Sequence, residues 1–355
     1  MKTLDLYIHR TVFKSTLIVL MVFGALFAFM TFVSQIDHIG KNDYTLVNAL
    51  MFVALTLPRS LYDLFPTATL IGGLLGLGAL AGNSELIVMR AAGISIRRIT
   101  RSVLQSGLVL TVLVAAFGEL LVAPAAQQAE SIKTRALHKN ISLGRNNGLW
   151  VKEGSYYLNV KQIYPDNRMR KIEIYEFDTN KQLKAITRAE SGIYKSKKWV
   201  LKDIKRSQFD SSSKVTTTII KTETWEHLFN PDLFEVIAVQ PSDMSATDLY
   251  KYSDYLENNQ LDASHYRLAF WLKVITPLST LVMLLIALPF VFGSLRSGSA
   301  GERLLVGIII GIGYFIMGRI VNHIGQVYGL HPLLSAVLPM IIVLLYGLFA
   351  YSKIR

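Results

Sequence analysis

The chain has 355 residues, of which 51% are hydrophobic, and its formal net charge is +12 at pH 7. This apolar fraction exceeds what a single soluble core of this size buries, so the composition places the chain among membrane proteins. The sequence contains no cysteine, which excludes a disulfide framework and any thiolate metal site.

Six apolar stretches are each long enough, at about 20 residues, to cross a membrane as a helix. The predicted spans are residues 15–33, 46–82, 99–122, 270–292, 304–321 and 333–351. The second stretch is over-long and contains Pro58 and Pro66. Because proline interrupts helical hydrogen bonding, we expect a broken segment at the outer surface, followed by the actual span.

Positive charge is distributed unevenly. Residues 125–262 contain 21 Lys and Arg against 18 Asp and Glu, so this segment carries +3 and the rest of the chain +9. The loop at 322–332 has no basic residue, whereas the other short loops and the termini contain Arg10, Lys14, Arg90, Arg97, Arg98, Arg101 and Lys353. The positive-inside rule therefore predicts cytoplasmic termini and export of segment 125–262.

The exported segment changes its hydrophobic period. The stretches GLWVKEGSYYLNVKQIY and RKIEIYEFDTNKQLKAITRAE alternate apolar or aromatic residues with polar ones, and turn residues recur about every 8–12 positions, as in a sandwich or jellyroll. Residues 127–138 before these strands read as a helical extension of the third span. After them, Ser245 is a suitable N-cap for a helix that returns the chain to the membrane.

We therefore predict an α-helical membrane protein with six transmembrane helices and an all-β, jellyroll-like domain inserted between helices 3 and 4. The predicted domains are residues 1–124 with the first three spans, 125–262 with the exported domain and its helical connectors, and 263–355 with the last three spans. Small-residue pairs four positions apart predict close helix packing; they are Gly72 with Gly76, Gly78 with Gly82, and Gly307 with Gly311.

The stretch NSELIVMRAAGISIRRI between the second and third spans has the pattern of a separate short helix at residues 84–93. Leu86, Met89 and Arg90 share one face by i, i+3 and i+4 spacing, and Glu85 stands at the N-terminus, where a carboxylate is favoured. Gly93 suits a left-handed C-cap, and Ser95 is a candidate N-cap for the next span. Two interpretations stay open: an interfacial connector, or a coupling helix whose apolar ridge seats in a cytoplasmic motor domain.

The sequence contains no P-loop, no HExxH, no GxSxG and no dense cluster of His, Asp and Glu with metal-ligand spacing. A P-loop binds nucleotide phosphates, HExxH binds a catalytic zinc ion, and GxSxG contains a nucleophilic serine. We therefore predict that the chain is not an enzyme and binds no cofactor itself. If it moves a substrate uphill, a partner must supply the energy.

The strings SELIVMRAAGISIRRI, GLLGLGALAG and GLWVKEG, together with six spans and one large exported insertion, resemble the lipopolysaccharide export permease family over essentially the whole chain. Of its two paralogous subunit types, the match is closer to the LptG type. The resemblance implies a Gram-negative inner-membrane permease with a periplasmic jellyroll domain, which extracts a glycolipid from the outer leaflet and passes it to a bridge of similar jellyrolls toward the outer membrane.

The resemblance also implies the partners. They are a paralogous permease subunit, a dimeric cytoplasmic ATPase that binds ATP and Mg, a single-span periplasmic jellyroll protein, and lipopolysaccharide; no nucleic acid is implied. The family's coupling helix corresponds by position to Glu85, Leu86, Met89, Arg90 and Gly93. Some relatives have a lysine where this chain has Thr31, so a headgroup contact from the first span is in question here.

The phosphates of an anionic glycolipid would bind basic side chains at the level of the headgroups. Its acyl chains would contact apolar side chains on one face of the strands. The candidate headgroup ligands are Arg59, Lys41, Lys133, Arg135, Arg267 and Lys273. Each could instead extend to the interface as an ordinary snorkelling side chain, and Arg59, inside an apolar run, is the strongest candidate. The candidate groove residues are Leu149, Val151, Tyr157, Leu158, Ile172, Ile174 and Tyr175, which could equally form a closed core.

Two other functions compete with lipid export. A mechanotransmitting ABC permease would pass ATP-driven motion to the exported domain without carrying lipid. A secondary carrier is disfavoured because the only acids near the spans are Asp63 and Glu119 and no inverted repeat is evident. Arg319, inside the fifth span, requires a partner, which Asp63, the paired subunit or the substrate could provide.

Overall fold

The computed structural model describes residues 2–137, 149–164, 168–178, 182–195, 198–209, 215–225, 240–293 and 299–353. Within these ranges the helices are, in chain order, α1 Lys2–Gln35, α2 Leu46–Gly82, α3 Glu85–Ala91, α4 Ile96–Phe117, α5 Ala123–Ala136, α6 Ala246–Asn258, α7 Ser264–Phe292, α8 Ala300–Val327 and α9 Pro332–Ser352. A π-helical turn, Gly118–Val122, joins α4 to α5, and 3-10 turns occupy Ile36–His38 and Pro241–Asp243.

Six helical segments are long and apolar enough to cross a membrane: Thr3–His38, Leu46–Gly82, Ile96–Ala136, Ser264–Phe292, Ala300–Val327 and Pro332–Ser352. The β-strands lie between the third and fourth of them. The predicted fold class, six spans with an inserted all-β domain, is therefore confirmed. The predicted domain bounds stay a prediction: the first falls just inside α5, and the second falls between α6 and α7.

The second span is one continuous helix, so the predicted interruption near Pro58 and Pro66 is wrong. An interior proline costs about 3 kcal/mol because it removes one hydrogen bond and crowds the preceding turn. Here every residue from Pro66 to Leu74 is buried, and α2 packs against α1, α7 and α8. This packing stabilises the helix at Pro66, whereas the helix passes Pro58 with only half-buried neighbours.

The predicted glycine pairs do bring helices into close contact, and α2 is the centre of this packing. A Cβ atom at Gly72 would lie 2.6 Å from Cα of Thr16 in α1. On another face of α2, a Cβ at Gly307 of α8 would lie 2.9 Å from Cγ1 of Ile71. Only glycine permits helix backbones to approach so closely, so α2 joins the first and fifth spans directly.

The spans differ in what covers them. The apolar windows of α2 and α7 are largely buried within the chain, whereas those of α1, α8 and α9 are mostly exposed. Large exposed side chains on these faces include Phe29, Ile309 and Leu345. In a membrane these surfaces contact lipid or another subunit.

The β domain is a six-stranded antiparallel sheet whose strands follow one another in chain order. The strands are β1 Leu149–Glu153, β2 Tyr156–Tyr164, β3 Arg168–Phe177, β4 Leu183–Lys195, β5 Lys198–Phe209 and β6 Val215–Trp225. Alternate residues face one core, in which Trp199 and Leu201 of β5 are almost fully buried. Tyr255 of α6 packs against this core, so the returning helix belongs structurally to the β domain as well as to the membrane bundle.

The glycine contacts of α8 can be tested with two glycines that are two residues apart. A Cβ at Gly311 would overlap the methyl group of Thr67, whereas nothing lies within 4 Å of the equivalent position at Gly313. We expect Gly311→Ala to destabilise the full chain by about 1–3 kcal/mol through overpacking. The measurement is the Tm in detergent. Gly313→Ala is the matched control, and equal Tm values for the two variants would contradict the packing described.

Candidate functional site

The short helix α3 lies between two left-handed turns. Ser84, just before it, has φ of 64°, and Gly93, just after it, has φ of 83°. The backbone N–H of Arg98 donates to Oγ of Ser95 at 3.3 Å, which caps α4. The predicted helix and the left-handed glycine are therefore confirmed, and α3 is set off from both neighbouring spans.

The apolar ridge predicted on α3 faces the chain's own core. Leu86 is 4% exposed and belongs to the main membrane cluster, and Met89 packs against the same cluster. The exposed apolar residues of α3 are Ile87 and Val88, at 42% and 66%. The helical spacing of Leu86 and Met89 identified an apolar face, but this face covers the end of the bundle. A partner would instead meet Ile87 and Val88, which the sequence analysis missed.

The polar residues of α3 connect it to the first span. The hydroxyl of Tyr7 donates to Oε2 of Glu85 at 2.7 Å. In the next helix, α4, Nη2 of Arg98 donates to Oδ2 of Asp5 at 2.7 Å. Arg90 is exposed and lines an open cavity of about 760 Å³ with Gly93, Ile94, Arg97, Tyr351 and others. Glu85 therefore connects α3 directly to α1.

Three of the six candidate headgroup ligands interact with acids of the same chain. Arg59 forms an ion pair with Asp243. Arg267 donates to both carboxylate oxygens of Glu257 at 2.7 Å, and these hydrogen bonds hold the pKa of Glu257 below its usual range. Burial raises the pKa of Asp243, although the charge of Arg59 opposes this shift.

Lys273 is the third of these cations. Its ammonium nitrogen is buried without a hydrogen-bond partner within the described residues. It interacts electrostatically with Glu119, Asp243 and Asp63. Because this nitrogen is buried, an external phosphate does not reach it without a rearrangement of the surrounding side chains.

The other three candidates lie on two segments that pack together. The backbone N–H of Asp43 donates to the carbonyl of Ala136 at 3.0 Å, and Nδ2 of Asn42 donates to the carbonyl of Leu137 at 2.7 Å. These contacts join the loop after α1 to the end of α5. The two segments carry Lys41, Lys133 and Arg135, hereafter the basic cluster; Lys41 and Arg135 are exposed, and Lys133 lies 4.7 Å from the ring centre of Phe52.

Side chains from four elements meet near the sheet end of the bundle, in what we call the outer junction: Arg59, Tyr62, Asp63, Glu119, Asp243 and Lys273. The first three share one face of α2 by i, i+3 and i+4 spacing. The hydroxyl of Tyr62 donates to the carbonyl of Lys273 at 3.0 Å, and its ring occupies the space that a Cβ at Gly118 would fill. The sequence analysis noted Glu119 only as an acid near a span, and Asp63 also as a possible partner of Arg319.

Arg319 is exposed on α8. Its guanidinium lies 5.1 Å from the ring centre of Phe315 and interacts electrostatically with Asp63. Of the partners considered for Arg319 from the sequence, Asp63 is therefore within its reach.

The candidate groove residues do not share one face. Leu158, Ile172 and Ile174 are 3%, 1% and 1% exposed in the sheet core, so they form a closed core in this structure. Tyr157 projects from the opposite face, since neighbouring strand residues alternate. There it packs edge-on to Phe177 at 5.3 Å, and Trp150 stacks on Tyr175 at 5.7 Å. Leu149 and Val151 pair with Val160 and Leu158, but their side chains lie outside the described residues.

Comparison with known proteins decides the family. Residues 6–353 match the model of the lipopolysaccharide export system permease LptF/LptG. The chain belongs to this family. It is 33% identical over 355 residues to the lipopolysaccharide export system permease protein LptG of Haemophilus influenzae, covering 99% of each chain. It is 32% identical over 338 residues to the LptG protein of Escherichia coli K12, covering 95% of this chain and 94% of that protein.

The predicted resemblance, including the LptG type, is thus confirmed. With six spanning helices, membership of this permease family describes a multi-pass inner-membrane protein. The residue assignments for coupling, headgroup binding and the groove stay predictions, now with known positions.

The inward orientation of Leu86 can be tested on the full chain alone. Removing a buried leucine side chain costs about 2–5 kcal/mol, whereas shortening an exposed valine costs little. We expect Leu86→Ala to lower the Tm clearly and Val88→Ala to leave it nearly unchanged. Thermal unfolding in detergent measures both, and a larger effect of Val88→Ala would show that the opposite face of α3 is the buried one.

Proposed function

We propose that this chain is a permease subunit of an ATP-driven lipopolysaccharide export complex. It extracts the glycolipid from the outer leaflet of the inner membrane and passes it to a periplasmic β-jellyroll bridge. The observation that carries this proposal is the family match over residues 6–353, on a chain whose six spans enclose one inserted antiparallel sheet.

The orientation and the partners follow from the same proposal. The termini and α3 face the cytoplasm, as the positive-inside rule predicts, and the sheet is periplasmic. The partners are a paralogous permease, a dimeric cytoplasmic ATPase that carries ATP and Mg, and a single-span periplasmic jellyroll protein. The exposed apolar faces of α1 and α8 support an assembly in which a second permease covers them.

Coupling to the ATPase is assigned to the exposed side of α3. Ile87 and Val88 present an apolar ridge, with the exposed Arg90 next to it. Leu86, Met89 and Glu85 hold α3 on the bundle, so a push on the ridge moves α1 through the Tyr7–Glu85 hydrogen bond. Closure of the ATPase dimer would then bring spans one and five of the paired subunits together and expel the lipid.

Headgroup binding is assigned first to the basic cluster of Lys41, Lys133 and Arg135. Lys41 and Arg135 are exposed, so a phosphate can approach them directly, the arginine as a bidentate fork and the lysine as a point charge. Arg59 and Arg267 form ion pairs with acids of this chain, so a phosphate would have to displace those acids. Lys273 is buried and interacts electrostatically with acids, so a phosphate would have to enter the bundle to reach it. For the acyl chains, the core that contains Leu158, Ile172 and Ile174 must open.

A second candidate function is motion transmission without lipid passage. It is favoured by one observation: α6 is hydrogen-bonded both to the third span, through Glu119, and to the sheet, through Tyr255. The third candidate, a secondary carrier, has no such support.

The coupling assignment is tested at Val88. We expect Val88→Asp to reduce co-purification of the ATPase roughly ten-fold or more, because an unpaired charge would be buried in the contact. Val88→Thr has nearly the same volume and no charge, so it is the matched control and should retain the ATPase. If both variants retain it equally, α3 is only an interfacial connector.

The lipid path is tested by photo-crosslinking in cells, with a photoreactive residue at Arg135, at Leu158 or at the exposed control position Lys198. We expect lipopolysaccharide adducts at Arg135 and Leu158 that depend on ATP, and none at Lys198. No adduct at either test position, in a chain that still binds its ATPase, would contradict lipid export and favour motion transmission.

A further inference from the structure

The segment that brings the chain back from the sheet to the membrane is a single packed unit. It comprises the 3-10 turn Pro241–Asp243, the linking residues 244–245 and α6, and we call it the return connector. Its buried residues Met244, Leu249, Tyr252 and Leu256 pack against the beginning of α7, including Tyr266 and Phe270. The connector therefore has a fixed inner face, and polar contacts hold each of its ends.

The third span holds the first turn of α6 through Glu119. The N–H of Ala246 donates to Oε2 of Glu119 at 2.9 Å, and the N–H and the hydroxyl of Thr247 donate to Oε1 at 3.4 and 3.0 Å. Ser245 already caps the N–H of Asp248 at 3.0 Å. Glu119 thus satisfies N–H groups that a helix leaves free at its start, and its charge suits the positive end of the helix dipole.

The second span holds the connector three residues earlier. Arg59 forms its ion pair with Asp243, and the two side chains are 33% and 17% exposed. Asp243 and Ala246 are separated by less than one helical turn, yet they are fastened to two different spans. This spacing fixes both the position of the connector and its rotation about its own axis.

The other end of the connector holds the sheet. The hydroxyl of Tyr255 donates to the carbonyl of Lys152 in β1 at 2.8 Å. The ammonium of Lys152 donates back to the carbonyl of Asn259 at 2.9 Å. Because α6 is 13 residues long and therefore about 20 Å, it forms a rigid link between spans two and three and the first hairpin of the sheet.

We propose that Arg59 and Glu119 are positioning residues that fasten the return connector to spans two and three and thereby set the orientation of the β domain above the membrane. Lipid leaving the bundle then meets the sheet in one fixed orientation. This consequence for transfer rests on the proposed function, whereas the orientation itself does not. Arg59 acts here through Asp243 and Glu119 through α6, and neither needs to touch the lipid.

The orientation of the β domain relative to the spans is measured by double electron–electron resonance spectroscopy on the full chain in nanodiscs. The chain has no native cysteine, so spin labels at Val47→Cys on α2 and Lys202→Cys on β5 report one distance without background. We expect a narrow distribution of the distance between the two labels in the parent chain. Glu119→Ala should increase about five-fold the population of chains whose return connector is detached from the spans. This factor corresponds to the roughly 1 kcal/mol that a helix cap contributes.

Four further variants separate positioning from general damage. Glu130→Ala removes an exposed acid of α5 and should leave the distribution narrow. Glu119→Gln keeps an acceptor oxygen for Ala246 and should have an intermediate effect. Arg59→Asp should broaden the distribution, and Arg59→Asp combined with Asp243→Arg should restore it, because the ion pair is rebuilt with its charges exchanged. Unchanged distributions for Glu119→Ala and Arg59→Asp would overturn the inference.

The consequence for transfer is measured in the ATPase complex with the photoreactive residue at Arg135 or at Leu158. We expect Glu119→Ala to reduce lipopolysaccharide adducts at Leu158 by the fraction of chains that the distance measurement finds detached, and to leave those at Arg135 unchanged. If adducts are lost at both Arg135 and Leu158 while the distance distribution stays narrow, the inference is overturned, since Glu119 would then act on lipid binding and not on orientation. Absence of adducts in the parent chain would contradict the proposed function, while the distance measurement would still decide the positioning role.

Discussion

Close contact between helix backbones around α2 is the constraint on which the rest of the molecule depends. In a bilayer the surrounding lipid is as apolar as the side chains, so helices associate through shape rather than through exclusion of water. Glycine provides that shape at Gly72 against Thr16, and at Gly307 against Ile71. Any side chain at these positions would separate α2 from the first or the fifth span, and the elements attached to both ends of α2 would move with it.

The two ends of α2 carry different tasks with similar chemistry. At one end the chain turns into α3, which is tied to α1 by the hydrogen bond between Tyr7 and Glu85. In the half that leads to the other end, Arg59 reaches Asp243, and Tyr62 reaches the carbonyl of Lys273. The contacts of Arg59 and Tyr62 are partly buried, where the scarcity of water strengthens them. One helix of 37 residues thus links α3 to the base of the β domain.

The sequence predicted features that depend on local chemistry. Ser95 and Ser245 cap helices as expected, Gly93 is left-handed, and the alternating segments form strands. Features that depend on distant partners were not predictable in this way. Arg59 and Asp243 are 184 residues apart, and no spacing rule joins them. The periodicity of α3 revealed an apolar face at Leu86 but could not say whether the bundle or another protein covers it, and the continuity of α2 through two prolines depends on neighbours that a single helix does not specify.

The π-helical turn Gly118–Val122 has a consequence for the geometry of the third span. A π turn accommodates one residue more than an α turn, so it shifts the angular phase of everything that follows it. In a regular α-helix the same downstream residues would be rotated by about 100° around the axis. Lys133 and Arg135 would then face a different side of α5. A single extra residue in one turn therefore sets the directions in which two bases project, so a change in chain length here would alter this surface more than most substitutions would.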